Sequence, residues 1–318
     1  MADAPMPGSV LLLGATDVTL AVAEAVLACG ARLAGIVTVG ESFSISYSAG
    51  PVRNARAVDA SEWGRRNGVE IIRFSNYDHL LKEISPSQPD VCLVAGWYHM
   101  VPQRFRAAFS RGCFGFHASL LPQLRGGAPL NWAILAGQTE TGVTLFEMND
   151  GVDDGLIFGQ SRFAIPHRAF VGDLVLRARD ACAELTREVL PALLAGTASG
   201  KEQLGAASYG MQRTPEDGRI DWTNSAVAID RLVRAVSRPY PGAFAMLETE
   251  IVRIWTAEPL ASAPAVFGAP GQIARLPESR HPCVITGDGL LQIVEATDAQ
   301  DVDCVDKLRK SGHKRFTF

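Results

Sequence analysis

The chain has six cysteines, Cys29, Cys92, Cys113, Cys182, Cys283 and Cys304, and no two of them form a CxxC pair. Without paired spacing neither a zinc ribbon nor a disulfide framework is indicated, so reduced thiols are the expectation. Positive charge is also scarce: 30 Lys and Arg against 34 Asp and Glu give a formal net charge of −4. A polyanion is held by a basic surplus, so this balance argues against nucleic acid as the main partner. No apolar stretch approaches the ~20 residues a membrane helix needs, and the opening MADAPMPGSV lacks a basic segment leading into an apolar one. The expectation is a cytoplasmic protein with no membrane association. His79, His167, His281 and His313 have no partners at metal-ligand spacing, so no metal is expected.

At 318 residues and 47% hydrophobic composition, the chain is too long for one small core and fits two domains. Its first two-thirds alternate short apolar runs, at 9–14, 33–38, 69–74, 91–96, 113–117 and 142–148, with helix-like stretches at 18–29, 59–67, 79–84, 102–109 and 129–136. That alternation predicts an α/β fold, a doubly wound, Rossmann-like sheet covered on both faces. After a long helical stretch at 171–194 comes GTASGKEQLGAASYG, which reads as a linker. Beyond it, one helix at 226–236 and β-like runs at 243–247, 251–256, 283–287 and 290–296 predict a smaller, mainly β domain. The expected division is a catalytic domain over 1–200 and a C-terminal domain over 206–318. A dinucleotide site is not supported, because the turn after the first strand has Gly14 alone and no GxGxxG.

The densest chemical signal is GCFGFHASLLPQLRGGAPLNW, residues 112–132. His117 ends a predicted strand, where ligands collect in open α/β sheets, and a neutral imidazole there can accept a proton near pH 7. The following segment, with Ser119, Leu120, Leu121, Pro122 and Arg125-Gly126-Gly127, makes a loop whose backbone can approach a flat ligand closely. The next strand leads into a loop carrying Asp150, Asp153 and Asp154, and a carboxylate from there could orient His117 and stabilise its protonated form.

HxSLLPxxRGxAP (residues 117–129) and M-x-x-G-x-D-x-G (residues 148–155) together resemble the signatures of the folate-dependent formyltransferase family. TPEDGRIDW (214–222) and VRAVSRPYPGAF (233–244) are similar to that family's C-terminal, open-barrel, OB-like module, so the resemblance spans nearly the whole chain. It is closest to the amino-sugar branch, which formylates UDP-4-amino-4-deoxy-arabinose, rather than the methionyl-tRNA branch. The resemblance implies N10-formyltetrahydrofolate as co-substrate and a small-molecule amine as acceptor. Folate would lie against Gly96, Trp97, Tyr98, Met100, Ser119, Leu120, Leu121, Pro122 and Asp150, with His99 a further candidate. His117 and Asp153 match two of three catalytic positions, as proton acceptor and orienting carboxylate. The third is normally an asparagine that donates to the developing oxyanion; this chain has Gly115.

Losing one oxyanion donor costs about 10²–10³ in rate, whereas approximation of bound reactants supplies ~7–11 kcal/mol by itself. Three accounts follow, in this order: a replacement donor, either water in the space left or protonated His117; a pocket widened for another donor or acceptor; or a module that binds folate without turnover. Hydrolysis of formyl-folate to formate is the alternative reaction, with water in place of the amine. Arg53, Asn54, Arg125 and Asn131 are candidates for holding the acceptor, the arginines because guanidinium forks suit phosphates. Met-tRNA is disfavoured as acceptor for want of clustered cations. The basic tail DKLRKSGHKRFTF is expected to be a solvated, frayed end. A homodimer is left open.

Overall fold

The computed structural model describes residues 8–44, 50–262, 264–277 and 279–317. Seven strands form the first sheet: β1 (Ser9–Leu13), β2 (Arg32–Thr38), β3 (Ile71–Arg73), β4 (Val91–Val94), β5 (Cys113–His117), β6 (Glu140–Glu147) and β7 (Ile157–Ala164). Their spatial order is β7-β6-β5-β4-β1-β2-β3. The first five in sequence pair in parallel, and β6 then runs antiparallel to both β5 and β7. This is the Rossmann-like arrangement expected, with the strand order reversing at β1 and β4.

Apolar runs such as SVLLL and VCLV are buried along their whole length, as a sheet covered on both faces requires. Helix α1 (Asp17–Ala28) follows β1, and Thr16 at its start donates its N–H to Thr19 Oγ1, whose hydroxyl bonds Ala95 O at the end of β4. Further helices are α2 (Ser61–Asn67), α3 (Tyr77–Ile84), α4 (Gln103–Arg106), α5 (Pro129–Leu135) and α6 (Val171–Ala195). Among the described residues no helix is long and apolar enough to cross a membrane.

A second, antiparallel sheet is built from β8 (Ala243–Leu247), β9 (Glu250–Pro259), β10 (Ile273–Ala274), β11 (Cys283–Ile285), β12 (Leu290–Thr297) and β13 (Phe316–Thr317), in the order β10-β11-β12-β9-β8-β13. Helix α7 (Ala226–Val236) starts at Ser225, whose hydroxyl accepts the Ala228 N–H, and buries Ala226, Ile229, Val233 and Val236 at helical spacing. The same face carries a buried ion pair, Arg234 to Asp230 at 3.0 Å.

The chain folds as two compact units, 8–129, 140–164 and 175–211 forming one, and 130–139, 165–174 and 212–317 the other. Two expectations are corrected. The small-residue stretch 196–210 is not a free linker: Lys201 exchanges backbone bonds with Ile157, and Tyr209–Gly210 pairs in parallel with Arg125–Gly126. Nor do residues 306–317 of the basic tail fray, because Leu308 and Phe316 are buried, Phe316 pairs with Leu247, and Lys307 and Lys314 meet Glu250 and Glu248. Two apolar anchors among the cations hold it down.

Candidate active site

Alternation along β5 puts Cys113, Gly115 and His117 on one face and Phe114 and Phe116 on the other. His117 therefore stands at the carboxyl tip of a central strand, buried, and its Nδ1 lies 3.3 Å from Asp153 Oδ2. Its Nε2 lies 2.7 Å from Leu124 O. A carboxylate and a carbonyl both accept hydrogen bonds, so the ring satisfies both neighbours at once only with a proton on each nitrogen. In this arrangement the expected proton acceptor is tied up, and it becomes free to accept only by giving up Leu124 O.

Asp153 is delivered by the loop between β6 and β7. Backbone bonds from Met148 N to Cys113 O and from Glu147 N to Leu156 O, both 2.9 Å, close that loop onto the sheet. Gly155 passes so near the chain that a Cβ there would sit 1.8 Å from Glu147 O, which gives the last glycine of the M-x-x-G-x-D-x-G pattern its reason. Asp153 itself takes a left-handed φ of 48°, a conformation aspartate tolerates better than most residues. Its Oδ2 accepts the Gly126 N–H at 2.8 Å. Gly126 has φ 92°, and a Cβ on it would lie 2.6 Å from Gly210 O, so this position of the RGG run also needs glycine.

The loop after His117 is pinned from the neighbouring strands. Buried Thr144, opposite His117 in register, donates to Ser119 O at 2.7 Å and accepts the Leu121 N–H at 3.1 Å. Gln160 on β7 donates to both Leu121 O and Thr144 Oγ1. Ser119 donates to Gln123 O. Leu121 is buried, and its bond to Pro122 is cis.

The Cβ position at Gly115 is bordered by side chains. Gly115 lies opposite Phe146 in the β5–β6 register, and a Cβ added to it would sit 3.2 Å from Phe146 Cε1 and 3.3 Å from Met148 Cγ. An aromatic ring and a thioether therefore border the side-chain direction.

Beyond β4, Gly96 O accepts the Ala15 N–H at 3.0 Å, drawing the ends of β1 and β4 together. Trp97 donates to Tyr77 Oη at 3.0 Å, and Tyr98 donates to Asn54 Oδ1 at 2.8 Å. Rings of Phe43, Phe74 and Trp97 surround His99 with centroids 5.7, 4.9 and 5.4 Å away. His99 Nε2 is buried with no hydrogen-bond partner among the described residues, and burial lowers its pKa. Burial likewise pushes the Tyr77 phenol well up, against the lowering effect of its bond from Trp97. Met100 is 73% exposed, and Asp150, also exposed, pairs with Arg106.

The acceptor candidates are scattered. Arg53 is exposed and pairs with Glu41 at 2.8 Å. Asn54 is buried, its Nδ2 donating to Ala15 O and its Oδ1 accepting from Tyr98 and the Arg56 N–H, so it braces the loop. Asn131 is buried in the second unit, where its amide donates to Ala235 O at 2.7 Å. Arg125 lies beside Gly126 and gives Nε and Nη2 to Gln203 Oε1 at 3.0 and 2.7 Å. Sequence reading missed Gln203, Leu124 O and the Gly126 N–H; the last two are backbone groups, which residue type does not announce.

The family model described as formyl transferase matches residues 50–190, and the one described as formyl transferase, C-terminal domain, matches residues 213–304. Among solved structures, HypX from Aquifex aeolicus in complex with tetrahydrofolic acid is 17% identical with a TM-score of 0.64, covering 92% of this chain and 45% of its own. This chain thus spans under half the length of HypX. An N-formyltransferase from Helicobacter canadensis, in complex with folinic acid and dTDP-3-aminofucose, is 16% identical with a TM-score of 0.65, covering 89% of this chain and 98% of its own. Methionyl-tRNA formyltransferase from Clostridium thermocellum is 18% identical with a TM-score of 0.55, over 79% and 92%. At these identities the likeness is one of fold.

Proposed function

Because this chain belongs to the folate-dependent formyltransferase family, we propose that it moves a formyl group from N10-formyltetrahydrofolate to the amine of a small molecule, a nucleotide-linked amino sugar by class. The folate stretch implied by the family lies in the loop after β4, where the rings of Phe74, Trp97 and His99 pack together and the buried His99 Nε2 has no partner among the described residues. Bound folate supplies the formyl group, held as an amide on a nitrogen that must leave.

The chain's own residues handle the proton and the charge. As the acceptor nitrogen bonds to the formyl carbon it must lose a proton, and His117 Nε2, released from Leu124 O, takes it. Asp153 keeps the other proton on Nδ1 and faces the positive ring, and the Gly126 N–H fixes that carboxylate. Once doubly protonated, His117 is also a donor for the formyl oxygen, standing in for the amide that Gly115 does not provide. The proton then passes to the departing folate nitrogen.

The observation that carries this reading is the His117–Asp153 contact at 3.3 Å on a strand tip inside the family-matched span. The acceptor class is supported by the shared fold of the H. canadensis enzyme, whose complex holds an amino sugar linked to a nucleotide, and by the net charge of −4. The test is incubation with N10-formyltetrahydrofolate and a panel of amines, wild type beside His117→Ala. Transfer in the wild type alone is expected; equal background turnover in both would end the proposal. Gly115 is consistent with one second reading, hydrolysis of the formyl-folate, because an undersupplied oxyanion site is common to any acceptor, water included. Formate release with no amine present separates the two reactions.

A further inference from the structure

We infer that Gln203 is a positioning residue for the His117–Asp153 pair. The inference rests on the reading that this pair moves the proton. Gln203 lies between residues 190 and 213, where neither family model reaches, in a stretch whose neighbours from Lys201 to Ala207 are all exposed. Gln203 alone in that run is turned inward.

Its side chain uses the whole capacity of a primary amide. Nε2 donates to Asp153 O at 2.8 Å and to Gly155 O at 2.9 Å, one hydrogen to each. Oε1 accepts Nε and Nη2 of Arg125, one lone pair for each. Arg125 is followed by Gly126, whose N–H holds the Asp153 carboxylate. A closed ring results: the dipeptide 125–126 grips Asp153 at its carboxylate through backbone and at its carbonyl through Gln203. Without that amide, a left-handed residue, φ 48°, would be held at its carboxylate only, by the Gly126 N–H and the His117 contact.

Few side chains can substitute. Glutamate would keep the acceptors for Arg125 and lose both donors; methionine keeps the length and loses everything polar; asparagine is one methylene short. The His117–Asp153 separation of 3.3 Å is already near the limit of a useful hydrogen bond. A misplacement of ~1 Å costs up to about 10²-fold in rate.

The test pairs two measurements on the full-length protein. Imidazole 15N spectra without substrate are recorded for wild type, Gln203→Ala, Gln203→Glu and Asp153→Asn; both Gln203 variants are expected to shift the His117 Nδ1 resonance in the direction that Asp153→Asn does. An unmoved resonance in a folded Gln203→Glu protein overturns the inference whatever reaction the enzyme runs, so its failure is distinct from failure of the functional reading. In turnover, Gln203→Glu is expected to lower kcat by about 10–10² with KM for formyl-folate little changed, and to add nothing in the Asp153→Asn background. Losses that multiply in the double variant would mean that Gln203 acts independently of Asp153, and would equally overturn it.

Discussion

Gly115→Asn puts back the amide that the family's pattern has at this position, and the structure says why it will not simply restore a rate. A well-placed donor is worth about 10²–10³, or ~2.7–4 kcal/mol. The new Cβ, however, lands 3.2 Å from Phe146 Cε1 and 3.3 Å from Met148 Cγ, so both must give by a few tenths of an ångström. Phe146 is 4% exposed and stands opposite Ile157, and Met148 opens the loop that carries Asp153, so neither moves alone. Overpacking of this kind costs about 1–3 kcal/mol of stability. Passed on to Asp153 as a shift approaching ~1 Å, it forfeits up to about 10² in rate. The expected outcome for the single variant is a lower urea midpoint with kcat within about tenfold of wild type, because the two effects nearly offset. Gly115→Asn with Phe146→Leu, which makes room, is expected to recover most of the 10²–10³ gain. A single variant that gains the full factor at unchanged stability would refute the reasoning.

Three other outcomes follow from the geometry. Asp230→Ala leaves buried Arg234 without its carboxylate and removes the 2.8 Å partner of Arg168, so a loss of about 3–5 kcal/mol in urea unfolding is expected, whereas Arg53→Ala on the exposed Glu41 pair should change little. Gly126→Ala is expected to abolish turnover while the protein stays folded by circular dichroism, since its Cβ meets Gly210 O at 2.6 Å and the displaced N–H is the one that holds Asp153. His99 has a pKa below its ordinary 6.5 because burial disfavours the charged ring, so the unfolded chain takes up a proton that the folded one refuses. Stability is therefore full above 6.5 and falls as pH drops through it, and His99→Phe should flatten the decline in Tm between about pH 7.5 and 5.5.

The sequence carried the first sheet well where burial on both faces produces unbroken apolar runs, as in β1 and β4. It failed at β7, IFGQSRFA, which lies on the edge of the sheet and is polar at alternate positions that the solvent tolerates. Stretch 196–210 read as a linker because small residues carry no apolar pattern, yet its backbone pairs with Arg125–Gly126. The basic tail read as frayed because its cations outnumber Leu308 and Phe316, the two residues that bury it. Of the site, the approach of His117 and Asp153 was legible because side chains of distinctive type stand at fixed offsets in two patterns. What surrounds them was not. Leu124 O and the Gly126 N–H belong to every residue alike, and the ring packing against Gly115 depends on a cross-strand register that no local pattern encodes.

The composition of the second unit sets a schedule for biosynthesis. Residues 130–139 and 165–174 emerge from the ribosome long before 212–317, with which they assemble. Asn131 must wait 104 residues for the carbonyl of Ala235, on the order of 5–20 s at ordinary translation speeds. Through that interval Leu130, Ile134 and Ile165, all buried in the finished protein, lack their later neighbours.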